Sequence, residues 1–195
     1  MQEIINTIIE NLKELESSSP QILSLIIGMS VIVLESMIPI LPLAVFIALN
    51  MLLFGNFIGF TISWIATCLG CFLSFYIVRK GLREPFEKKS EQAKTIKKIM
   101  KIINKISLPN FVLIISMPFM PAFAINIAAG LSKIDAKKFI ASILISKLII
   151  VYFWGFIGTT FLESVSDPLV ILQLLTLLLI AYIVSKQIMK KYKID

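Results

Sequence analysis

The chain of 195 residues has no histidine and only two cysteines, and its charged fraction of 16% falls below the about 25% usual in soluble domains. Without histidine there is no imidazole to act as a general base, to hold a metal or to line a quinone site. Cys68 and Cys71 share a C-x-x-C spacing, but both lie inside an apolar run with no second dithiol. They read as small side chains near Gly70 that let helices approach closely, not as a redox pair. No phosphate-cradling glycine loop, metal-ligand cluster or hydrolytic constellation is present. No catalytic residue, metal or cofactor is therefore assigned, and an enzyme or an ATP-driven pump is not expected. The first twenty residues lack a basic leader and an apolar h-region, so the first apolar helix is expected to direct insertion.

What the chain does have is apolar length. Hydrophobic residues make up 57% and the mean hydropathy is +0.91, with stretches long enough to span a bilayer. These values predict an all-α integral membrane protein. The net charge of +7 is unevenly spread, because residues 79–105 carry a dense series of bases from Arg79 to Lys105 against only Glu84, Glu87 and Glu91. That segment is expected in the cytoplasm, with anionic lipid as its partner. Nucleic acid is not expected, since no aromatic platform or binding fold accompanies the lysines.

Along the chain, residues 1–19 form an amphipathic segment that places Ile4, Ile5, Ile8, Leu12 and Leu15 at helical spacing before Ser17-Ser18-Ser19-Pro20. The membrane domain is expected to fill residues 20–189. It opens with a re-entrant pair over 21–54, broken by Pro39-Ile40-Leu41-Pro42 and closed by a Gly55-Asn56 turn. A spanning helix follows over 57–78, then a basic interfacial helix over 86–106 whose apolar face carries Ile96, Ile99, Met100, Ile103 and Ile106. A second re-entrant pair over 108–131 is broken by Pro118-Phe119-Met120-Pro121. Spanning helices over 139–161 and 169–185 lead to a basic cytoplasmic tail over 186–195. The Glu163–Pro168 connection has no basic residue, so every basic cluster ends on one side. By that parity the two broken pairs enter from opposite leaflets, which makes inverted repeats. If residues 21–38 spanned alone, the amino terminus would be cytoplasmic instead.

Two prolines three residues apart remove donors and block the preceding turn, and backbone freed at membrane depth needs protein or water to satisfy it. Half-helices starting near Leu43 and Ala122 present the positive ends of their dipoles there, where an anionic group is the natural ligand. The competing account is that the kinks only shorten helices for packing. Glu35 lies one turn before Pro39, where a bare carboxylate costs several kcal/mol, so it is the candidate for proton coupling or gating. Its competing account is a position nearer the interface, satisfied by water. Lys147 sits near the centre of its helix beside Ser146 and Ser142, and a Glu35–Lys147 pair across the repeats is expected. Asn126 places an amide in the second half-helix; Asn50 does so in the first and reads as a cap for broken backbone. Trp64, Tyr152 and Trp154 read as interface anchors or packing.

The run Glu35-x3-Pro39-x2-Pro42, then Pro118-x2-Pro121-x4-Asn126-x2-Ala129-Gly130, then an apolar helix with Gly155 and Gly158, resembles the DedA/VTT-domain membrane family, also called SNARE-associated Golgi proteins. The resemblance covers about residues 30–160. It implies two facing re-entrant hairpins and movement of lipid across the membrane, of phospholipid in eukaryotic relatives and of undecaprenyl phosphate in bacterial ones. Carried over by position, the site residues are Glu35, Pro39, Pro42, Pro118, Pro121, Asn126 and Gly130. Bacterial members often carry a second acid where this chain has Leu43 and Ala44, and arginines where it has Ile115 and Pro121, which makes Lys147 the candidate for the positive charge.

The function expected is a flippase or scramblase for an anionic lipid in a bacterial cytoplasmic membrane. A proton-coupled transporter of a small anion uses the same breaks, and a non-transporting assembly factor would instead dock through residues 86–106. A membrane thiol enzyme would need Cys68 and Cys71. Oligomeric state is not written in the chain.

Overall fold

Two aspartates start two of the three longest helices. The Asp135 carboxylate accepts the Lys137 N–H at 3.3 Å and the Asp167 carboxylate accepts the Leu169 N–H at 2.9 Å, each satisfying a donor that has no partner inside its helix. Pro168 follows as a first helical residue, where a missing N–H costs nothing.

The computed structural model describes residues 21–38, 42–81 and 92–192. The amphipathic segment 1–19, Pro39 and the start of the basic helix expected from residue 86 lie outside the described residues. Among the described residues the elements are all helices: α1 Gln21–Met37, α2 Leu43–Phe54, α3 Asn56–Gly81, α4 Gln92–Lys105, α5 Leu108–Ile115, α6 Ala122–Leu131, α7 Ala136–Ser164 and α8 Pro168–Tyr192. Helices α3, α7 and α8, with 26, 29 and 25 residues, are long and apolar enough to cross a membrane. The 12 residues of α2 and the 10 of α6 are not, since they rise only about 18 Å and 15 Å against an apolar layer of about 30 Å.

The order helix, proline break, short helix, long helix occurs twice, as α1-α2-α3 and α5-α6-α7. The α2–α3 turn is closed by Gly55 at φ +79, a left-handed conformation that glycine adopts without penalty. All three long apolar helices run longer than expected, and α8 continues as helix through residues 186–192.

The halves are interlocked. α2 packs on α3 of its own half and also on α7 of the other, while α6 packs on α3. Both cross-contacts are made over glycine. A Cβ at Gly158 of α7 would lie 2.6 Å from the Ala48 methyl and 2.9 Å from the Ala44 carbonyl oxygen of α2; a Cβ at Gly130 of α6 would lie 2.9 Å from the Phe75 carbonyl oxygen of α3. In lipid, where apolar side chains gain little by leaving the solvent, close backbone approach and van der Waals contact hold helices together. Gly70, between the cysteines, does the same for α1, with a Cβ there falling 2.6 Å from the Val33 carbonyl oxygen.

The main core lies where α3, α4, α5, α6 and α7 meet. Phe75 and Phe139 stack with centroids 4.1 Å apart, and Phe111 leans on Phe139. Ile99, Ile103 and Ile106 are buried in this core. That part of the apolar face of the basic helix therefore packs on protein. Arg79 supplies the other tie. Its guanidinium donates to the Ser132 and Ile134 carbonyl oxygens at 3.1 and 2.7 Å and lies 4.3 Å from the centre of the Phe75 ring. It thereby anchors the end of α6 to α3.

Candidate functional site

Both proline breaks open on one cavity of about 440 Å³. Glu35 and Ser36 reach it from the end of α1, Pro42 and Leu43 from the start of α2, and Pro118 and Pro121 from the second break. Lys147, Ile150 and Trp154 of α7 complete it. Elements distant in sequence thus meet because α2 and α6 both begin at the cavity and the long helix α7, packed on α2, supplies the remaining wall.

The starts of α2 and α6 face the cavity with free donors. Neither Pro42 nor Pro121 offers a side chain to cap the first turn. The first regular backbone bonds run from Val45 to Pro42 and from Ile125 to Pro121, leaving the N–H groups of Leu43, Ala44, Phe123 and Ala124 without an acceptor among the described residues. Such paired helix starts carry partial positive charge.

Lys147 is 4% exposed and Glu35 8%, so both charged groups sit where an unpaired ion is costly. No salt bridge joins them among the described residues, and none holds Lys147 to another acid. The cavity therefore has positive helix ends and an ammonium that lacks a direct counter-ion, in walls that are otherwise mostly apolar. An anion bound between them would satisfy both.

The other expected site residues fall as follows. Pro39 lies outside the described residues. Asn126 is 1% exposed in α6 and does not line the cavity; its Nδ2 has no hydrogen-bond partner. Gly130 is a packing contact with α3. Asn50 does not cap broken backbone, because its Nδ2 donates to the Ser63 hydroxyl at 3.2 Å and so ties α2 to α3. Trp64 donates to the Leu144 carbonyl at 3.1 Å, a packing role.

Two cavity residues, Ser36 and Trp154, are not singled out by the sequence, although Trp154 packs as expected. The Ser36 hydroxyl is buried at the cavity without a partner, and its signal was its place beside Glu35. Trp154 forms a cavity wall and meets Phe119 edge to face at 5.9 Å. Its signal was spacing: 147, 150 and 154 fall on one helical face. No group of three or more metal-ligating side chains is assembled among the described residues.

The VTT domain model matches residues 28–160, which include the cavity and end near the end of α7. The chain belongs to the DedA/VTT-domain family. It is a membrane protein. It is 30% identical over 136 residues to the uncharacterized membrane protein YhjE of Bacillus subtilis (strain 168), covering 70% of this chain and 66% of that one. It is 29% identical over 125 residues to the uncharacterized protein YqeD of the same organism, covering 64% and 60%. The chain thus spans slightly less than two thirds of the length of either relative. No solved structure matches.

Proposed function

We propose that this protein is a lipid translocase of a bacterial cytoplasmic membrane, which holds an anionic headgroup between the starts of α2 and α6 while the lipid tail stays in the bilayer. The observation that carries the reading is the convergence of two uncapped helix starts with Lys147 and Glu35 in one mostly apolar cavity. A phosphate is the headgroup chemistry that suits it, as in undecaprenyl phosphate or an anionic phospholipid. In this reading α1-α2 and α5-α6 are re-entrant hairpins from opposite leaflets and the two halves are inverted repeats. The order of elements and the glycine-lined exchange of α2 and α6 between halves support it.

The substrate leaves only if it is not held too firmly. Glu35 opposes the bound anion from across the cavity, and its carboxyl is the proposed gate: in its charged form it pairs with the Lys147 field and weakens the anion, and in its neutral form it yields the site.

The test is headgroup accessibility in liposomes containing the purified protein, with fluorescent phospholipid and labelled polyprenyl phosphate run in parallel. Movement of either lipid, reduced in Lys147→Met and Glu35→Gln, is the expected result. Counterflow of a small labelled anion without lipid movement would replace the lipid reading by that of a solute transporter.

A further inference from the structure

A second cleft, of about 900 Å³, lies at the other end of α5 from the central cavity. It is lined by Lys101, Asn104 and Lys105 of α4, by Ser107 and Asn110 at the start of α5, and by Tyr192 at the end of α8. No acid is among its described lining residues.

Lys101 and Lys105 stand four apart on one helix, a like-charge pair that disfavours the helix unless an anion lies between or near them. Neither pairs with a carboxylate among the described residues, and α4 contains no acid at all. Asn104 is already oriented: its Oδ1 accepts the Lys133 N–H at 3.0 Å, which leaves its Nδ2 as a donor. Ser107, at the N-cap of α5, makes no capping bond with its side chain, so its hydroxyl is free to donate as well. The tyrosine comes from a helix that otherwise touches the bundle little. Ile188, Met189 and Tyr192 pack against the main core, and the Lys191 ammonium lies 5.9 Å from the centre of the Tyr192 ring, adding a further charge beside the cleft.

Donors from α4, α5 and α8 therefore converge with no carboxylate among the described lining residues to answer them, and Ile102 and Ile106 add apolar wall. We propose that this cleft is a binding site for the phosphate headgroup of an anionic membrane lipid, with Lys101, Lys105, Asn104 and Tyr192 as its contacts and the acyl chain leaving along Ile102 and Ile106. The site differs from general attraction of a basic helix to an anionic leaflet, because one helix alone does not make it: α8 closes it. It also stands apart from translocation, since binding there is measurable whether or not lipid moves.

The experiment is native mass spectrometry of the full chain in detergent, titrated with dioleoyl phosphatidylglycerol, with dioleoyl phosphatidylcholine, and with glycerol 3-phosphate. The first phosphatidylglycerol is expected to bind preferentially and to weaken roughly tenfold in the Lys101→Gln/Lys105→Gln double variant, as two near-surface lysine contacts imply. Tyr192→Phe is expected to weaken it by a smaller factor, about threefold. The control is Lys97→Gln/Lys137→Gln, which removes the same charge from exposed positions outside the cleft and should leave the first binding within about twofold. Equal loss in the control would reduce the effect to bulk charge and overturn the site. Equal binding of phosphatidylcholine, or of glycerol 3-phosphate at the same concentration, would also overturn a headgroup site for an anionic lipid.

Discussion

Glu35 of α1 and Lys147 of α7, both buried, line the same cavity from opposite halves of the chain, and no salt bridge joins them among the described residues. The starts of α2 and α6 line that cavity as well. A closed pair would have neutralised the site; an open one leaves it ready for an anion.

Charge removal on either side should therefore impair transport non-additively. Glu35→Gln and Lys147→Met are each expected to slow lipid movement about tenfold or more, and their coupling in a double-mutant cycle should exceed about 0.5 kcal/mol. Initial rates in the liposome assay give the cycle. Strictly additive effects would remove the shared site from the mechanism.

Arg79 was legible only as a basic stop after a spanning helix, yet it holds the end of α6 through two carbonyls and the Phe75 ring. Arg79→Met should lower stability by about 2–4 kcal/mol, from two charge-assisted hydrogen bonds and a cation–π contact. Arg79→Lys should recover less than half, because an ammonium lacks the planar fork that reaches both oxygens. Thermal unfolding in one detergent compares the three chains.

Glycine substitutions should separate the close contacts from the open positions. A Cβ at Gly59 would run into the Asn50 carbonyl oxygen and one at Gly158 would lie 2.6 Å from the Ala48 methyl, whereas nothing lies within 4 Å at Gly81. Gly59→Ala and Gly158→Ala are expected to destabilise by about 1–3 kcal/mol through overpacking. Gly81→Ala should be neutral or slightly stabilising. The midpoint of unfolding in each variant checks the order.

Asn126 is buried with an Nδ2 that has no partner, a state that costs about 1–3 kcal/mol. Asn126→Leu should thus be neutral or stabilising. If the same variant leaves lipid movement unchanged, the amide has no part in transport; reduced movement with unchanged stability is the outcome that fits a functional amide.

The cysteines offer a simple control. Cys68 and Cys71 are both buried and unbonded. Cys68→Ala/Cys71→Ala should cost only about 1–2 kcal/mol of packing and leave lipid movement intact. Loss of movement in a folded double variant would instead revive a thiol role.

Local chemistry along the chain settles part of this molecule. Apolar runs of bilayer length determined an all-helical membrane protein, and the prolines determined where its helices stop, because a missing donor and a steric block act locally. Glu35 and Lys147 stood out because an ion inside an apolar run is expensive wherever the run packs. Tertiary structure decided what faces what. Whether Ile99 and Ile103 meet lipid or protein, whether Asn50 caps a break or bonds Ser63, whether Trp154 is an anchor or a wall, and whether Tyr192 closes a cleft all depend on which helix passes alongside. That choice follows from the fit of glycine-lined backbones across the two halves, a long-range complementarity of shape that no local spacing in the chain encodes.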